Sequence, residues 1–258
     1  AESFRTTTGL TKTMTEGLDT TLLAVNKKYR DAGITIGKAV EAATALHDQF
    51  GRMNEISEDT VGAIALMNTS FGIAEETSAG AMKNLMVMGN MSAEHALNLQ
   101  AGAISLAEAS GVAPVDVMES IAKAGKSASF YFAGNTKELI RAAVYARRLG
   151  LEMNDLTGMA DNLLDFENSI NAEMEASVLV GRRLNFEKAR QLAWDGNLQG
   201  AAEAALDTVG SISDFNALGP KQKEAIAKAA GLEVAQLQQA LERREEMAML
   251  DPKERIAI

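Results

Sequence analysis

The chain has no cysteine, three prolines and few aromatics, which make up 5% of its 258 residues. Without cysteine it has no disulfide and no thiolate metal site, although this does not fix its compartment. Proline stands only at Pro114, Pro220 and Pro252, and β-branched runs with a period of two are missing. Alanine is abundant, methionine occurs 13 times, and helix formers dominate. The expected fold class is all-α: a multi-helix bundle of short helices with glycine corners around one long amphipathic helix.

Clustered positive charge is also missing. The net charge is −10 and the pI is near 4.9, which argues against tight, specific binding of nucleic-acid phosphates. The pairs Arg147-Arg148 and Arg182-Arg183 fall at proposed helix ends, where they favour the helix dipole. No signal peptide is visible, and no apolar run is long enough to span a bilayer. The chain starts without Met and ends just past a fresh helix start at Asp251-Pro252, so it reads as a piece of something longer.

Catalytic sets are missing too. The two histidines, His47 and His95, have no carboxylate three or four residues away, and no HExxH occurs. The run GKSAS at Gly125 lacks the earlier glycine of a phosphate-binding loop. Glu167, Glu173 and Glu175 lack the Glu-x-x-His partner of a di-metal carboxylate site. Catalytic, cofactor-binding and metal residues are therefore read as none, and the chain is expected not to be an enzyme.

What is present is organised around Asn154–Gly181, with one internal glycine, Gly158. Leu156, Met159, Leu163, Phe166, Ile170, Met174 and Val178 recur every three or four residues, a stripe on one face of a helix. Asn154 or Asp155 can start that helix and Gly181 can end it, giving an unbroken rod of about 39 Å. Asp161, Asp165, Glu167, Glu173 and Glu175 make its other side acidic. The stripe can be a core face; it can also meet helices from other copies. The partner and self-association face is assigned to Leu156, Met159, Leu163, Phe166, Ile170 and Met174. Leu163, Phe166, Ile170 and Met174 are expected to be buried at least partly by another chain.

Before this rod, residues 1–9 read as irregular. A helix is expected through Leu10, Met14, Leu18, Leu22, Val25 and Tyr29, then one ending at Gly51 and one capped by Ser57. From Gly72 a corner recurs: glycine closes one helix, an apolar residue pins the turn, and a polar residue or proline starts the next. Helix ends are expected at Gly111, Gly150, Gly181, Gly196 and Gly231, with roughly eight to eleven helices in all. The aromatic run at 125–134 reads as a loop, and Trp194 as a plug at a corner. Residues 1–71 are expected to form an N-terminal helical segment that can be extended, and 72–258 a compact helical domain that continues beyond the chain.

The stretches GVAPVDVMESIAKAG, KELIRAAVYARRLGLEMNDLTGMADNLLDFENSINAEMEASVLVGRRLNFEKARQLAWDGNLQGA and FNALGPKQKEAIAKAAGLEVAQL resemble tail tape measure proteins of tailed phages. The resemblance covers roughly Gly111 to Leu241 and is most specific from Leu163 to Asn197. It implies a structural protein of the virion tail, present in several copies in the tube lumen or at the baseplate hub. Such proteins act in tail assembly, length determination and genome ejection. The implied partners are further copies of the chain and the tail tube and baseplate hub proteins. Some relatives of that kind carry peptidase or muramidase domains, and no residues here match those. Two other readings stay open on the residues alone. One is a bacterial helical coiled-coil signalling or adaptor module, although glycines interrupt its heptads. The other is an all-α enzyme with an unrecognised site.

Overall fold

The structure is a computed structural model that describes residues 2–13, 15–124 and 126–249. The expected helix start at Asp251-Pro252, and Met14 and Gly125, lie outside these residues. Among the described residues there are sixteen α-helices and no strand, so the fold is all-α. The helices are more numerous and shorter than expected. The chain divides into two compact units, residues 1–107 with 113–123, and residues 108–112 with 124–258.

The first unit contains α1 (Glu2–Thr8), α2 (Leu18–Tyr29), α3 (Ile36–Phe50), α4 (Glu58–Phe71), α5 (Glu75–Gly89), all but the last two residues of α6 (Ala93–Ala109), and α7 (Pro114–Ala122). α3 packs against α1, α2, α4 and α5, and α5 also packs on α7. Because α4 and α5 belong to the same unit, the division expected at residue 72 does not fall there. Residues 2–8 are helical rather than irregular, since Phe4 is fully buried and meets the His47 ring edge-on at 5.8 Å. The helix expected from Leu10 begins only at Leu18. The Ser57 cap is present, with Thr60 N–H donating to Ser57 Oγ at 3.2 Å.

The second unit contains α8 (Lys126–Phe132), α9 (Thr136–Arg148), α10 (Met153–Leu164), α11 (Phe166–Val180), α12 (Glu187–Trp194), α13 (Leu198–Val209), α14 (Ile212–Asn216), α15 (Pro220–Ala230) and α16 (Val234–Met249). α10 is its centre and packs on α8, α9, α11, α12, α13 and α15. The run read as an aromatic loop is helical, because Ala128 and Phe132, one turn apart, are both buried. The neighbouring Tyr131 hydroxyl donates to Asp161 Oδ1 of α10 at 2.7 Å. Pro114 and Pro220 each open a helix at its first turn, where no N–H is required.

The long rod is two helices. Asp165 leaves helical geometry at φ −76°, ψ 78°. Its amide still donates to Asp161 O at 3.1 Å, closing α10. Its carboxylate accepts from the Asn168 amide N–H at 3.4 Å and from Asn168 Nδ2 at 2.7 Å, opening α11. One aspartate therefore ends one helix and caps the next.

Candidate assembly surface

The break at Asp165 divides the expected association face. Leu156, Met159 and Leu163 on α10 are fully buried by their own unit, so they are core and not partner-facing. On α11 the large apolar residues point to solvent instead. Phe166 and Ile170 are each 44% exposed, Met174 63% and Val178 81%, while Trp194 on α12 is 72% exposed. Trp194 is thus no corner plug: its ring lies 6.2 Å from that of Phe166 and extends the same surface.

α11 shows this face because its other sides are occupied. Its buried residues are the small ones, Ser169, Ala172 and Ala176. α15, which buries Ala225, Ala227, Ala229 and Ala230, packs along it. Alanines are frequent among the buried residues of both helices, and small side chains there let the helix axes come close. The two helices run antiparallel: Gln222 Nε2 donates to Leu179 O at 2.8 Å, and Lys228 Nζ lies 3.7 Å from Glu175 Oε2.

Along its other flank the chain folds back on α11 in a second antiparallel register. Leu184 N–H donates to Ser177 Oγ at 3.0 Å, and Phe186 N–H to Glu173 Oε2 at 3.1 Å. Arg190 donates through Nη1 to Ser169 Oγ at 3.2 Å, and its Nη2 lies 2.8 Å from Glu173 Oε2. Phe166 and Trp194 complete the series. Paired numbers along this flank sum to about 360 throughout. The loop turns at Gly181, φ 70°, and is fixed by Arg182, which donates to the carbonyls of Thr208 and Val209 at the end of α13. α11 is therefore held on both flanks and beneath, with Phe166, Ile170, Met174 and Val178 left outward.

The two ends of this helix differ in charge, while exposed Glu175 between them pairs with Lys228 at 3.7 Å. Asp165 and Glu167 lie exposed at its start, and Arg182 and Arg183 lie exposed just past its end. Both placements also oppose the helix macrodipole. Elsewhere, His95 Nδ1 pairs with Ser92 Oγ at 2.9 Å, and His47 Nδ1 lies 3.6 Å from Asp48 Oδ1. Among the described residues no three His, Asp or Glu side chains converge in a way that could hold a metal ion. None of the described helices is long and apolar enough to cross a membrane.

The solvent-facing stripe was legible as a stripe in Phe166, Ile170 and Met174. Val178 was read as part of the stripe but not of the association face, and Trp194's place in it and the burial of the α10 half alone were not read at all. The one available signal was the Ser169, Ala172, Ala176 ladder, which marks a side of close helix approach. Compared with family models, curated proteins and solved structures, the chain matches none.

Proposed function

We propose that this chain is a structural segment of a phage tail, part of a tape measure protein, that works by assembly with other tail components and further copies of itself. The observation that supports this reading is a coincidence of position. The stretch that most resembles tape measure proteins, Leu163–Asn197, is the stretch that carries the exposed apolar surface of α11 and Trp194. A soluble domain keeps such a contiguous face only at a cost in solubility, and such faces mark interaction sites.

Within a tape measure this segment is a docking domain and not the measuring rod. A continuous helix spans about 1.5 Å per residue, so a tail of order 1000 Å needs roughly 670 residues of rod. Here the glycine corners fold each unit back on itself. The acidic balance, net charge −10, suits a protein that must not hold the genome as it leaves.

The test is made in the phage that encodes the chain. Ile170→Glu with Met174→Glu changes only outward residues, and should yield particles lacking tails or tail tips while the chain remains folded. Normal tails carrying the variant chain would sink the assembly reading. Finding the chain absent from purified tails by mass spectrometry would sink the tail reading altogether.

A further inference from the structure

We propose that the α11 face is covered by the same face of a second copy of this chain, the two α11 helices running antiparallel with Met174 at the two-fold axis. The inference rests on the reading of this face as an assembly surface, and adds its occupant and register.

The first argument is charge. α11 is acidic where it starts, at Asp165 and Glu167, and basic just past its end, at Arg182 and Arg183. A parallel neighbour would set like charges side by side at both ends. An antiparallel neighbour sets Glu167 of one copy near the partner's Arg183, and also opposes the two helix dipoles. Trp194 and Phe166 then lie at the end where the partner's Arg183 arrives, a setting for guanidinium stacking on an aromatic face.

The second argument is register. Phe166, Ile170, Met174 and Val178 lie at steps of four, and the charged residues Glu167 and Arg183 lie about equally far from Met174 along the chain, which sets Met174 opposite itself. With Met174 opposite itself, Ile170 meets the partner's Val178, and each apolar side chain of the row finds an apolar or arginine neighbour. Self-complementarity of this kind is what a two-fold interface requires.

The third argument is size. Complete coverage of the exposed parts of the four row residues and Trp194 would remove at most roughly 700 Å², with about 150–250 Å² for each whole aromatic side chain and less for the aliphatic ones. Two such faces reach roughly 1400 Å², within the span of stable protein–protein interfaces. The outward edge of the row is free of the flanking elements, so helices could approach at about 8–10 Å.

The chain contains no cysteine, so introduced ones report contacts unambiguously. In the full 258-residue chain, Met174→Cys should form a disulfide-linked dimer under mild oxidation, since the two β-carbons meet near the axis at about 4 Å. Ile170→Cys and Val178→Cys should each link poorly alone and efficiently when combined in one chain. Sedimentation should show a dimer at tens of micromolar, weakened roughly 100-fold or more by Met174→Glu. Glu167→Arg should weaken it as well, and Glu167→Arg with Arg183→Glu should restore it. Equal linking by all single cysteines would mean a parallel pairing and overturn the proposal, as would a monomer at these concentrations. A monomer combined with tail loss for the Ile170→Glu, Met174→Glu phage would leave the assembly reading standing, with another tail protein as the occupant.

Discussion

Arg190 Nη2 sits 2.8 Å from Glu173 Oε2, and this pair ties α12 to the inner edge of α11. Both side chains are largely buried, and each has a second partner: Arg190 also donates to Ser169 Oγ, and Glu173 accepts from the Phe186 amide. A buried pair of this kind is most costly when half of it is removed, because the survivor loses its partner and stays out of water. Arg190→Ala should therefore destabilise the second unit by about 2–4 kcal/mol. The double variant Arg190→Met, Glu173→Met should recover most of that loss. Chemical denaturation followed by the helical circular dichroism signal measures both. Equal losses for the single and double variants would show that the ion pair is not the source.

The break at Asp165 separates two kinds of apolar residue that share one spacing. Leu163 is core, so Leu163→Glu should cost more than about 3 kcal/mol and unfold the second unit, whatever the association state. Met174 is outward, so Met174→Glu should leave thermal stability within about 0.5 kcal/mol of the parent at high dilution. Circular dichroism melts of the two variants side by side decide this. A folded Leu163→Glu chain, or an unfolded Met174→Glu chain, would contradict the assignment of faces.

Trp194 also gives a native probe of association. It is largely exposed beside Phe166, so its emission in a dilute chain should lie at long wavelength. Covering the α11 face should move the emission to shorter wavelength as concentration rises, with the same midpoint as sedimentation. A spectrum independent of concentration over the range where mass changes would place the interface elsewhere.

Much of the architecture was readable because local chemistry and tertiary structure agree. Gly111, Gly150, Gly181, Gly196 and Gly231 have φ between 67° and 78°, and Pro114 and Pro220 open helices. The single long rod was misread for a specific reason. Leu163 and Phe166 are three residues apart, so the helical spacing stays in phase across the break, and only the capping chemistry of Asp165 with Asn168 marks it. Periodicity alone puts Leu163 and Met174 on one stripe and does not show that the first is core and the second outward. α11 buries only Ser169, Ala172 and Ala176 and packs on α15, a long-range contact invisible in local periodicity. Likewise, the partition at residue 72 followed a change of sequence style, whereas α3 packing on α5 holds that region together.

Gly231 and Gly181 separate two costs of replacing a helix-ending glycine. Both have left-handed backbones, φ 78° and 70°. A β-carbon at Gly181 meets nothing within 4 Å, whereas at Gly231 it would lie 3.0 Å from the backbone oxygen of Met159 and 3.2 Å from its Cα. Gly181→Ala should thus cost about 1 kcal/mol, the conformational part alone. Gly231→Ala should cost about 2–3 kcal/mol, because α10 must shift as well. Denaturant midpoints at constant slope compare them, and equal losses would show that the contact with α10 yields freely.

In the first unit, Glu75 should show an unusual dependence on pH. It is 9% exposed at the start of α5, and burial pushes its carboxyl above the ordinary 4.5, with repulsion from Glu41 and Glu76 adding to this. Its own backbone amide and Lys38 pull the other way without reversing the shift. The folded chain then holds the proton more tightly than the unfolded one. Stability contributed by this group is lost as pH rises from the unfolded value through the raised folded value, and the cost of the buried charge is complete above it. Glu75→Gln removes that charge yet keeps an oxygen that can accept the Asn68 Nδ2 bond, now 3.1 Å long. The variant should melt higher than the parent at pH 7, and the advantage should shrink steadily on acidification and vanish below about pH 4.5. Melting curves across this range provide the check. A variant less stable at pH 7, or a difference that does not change with pH, would mean that the charge of Glu75 is satisfied in the fold.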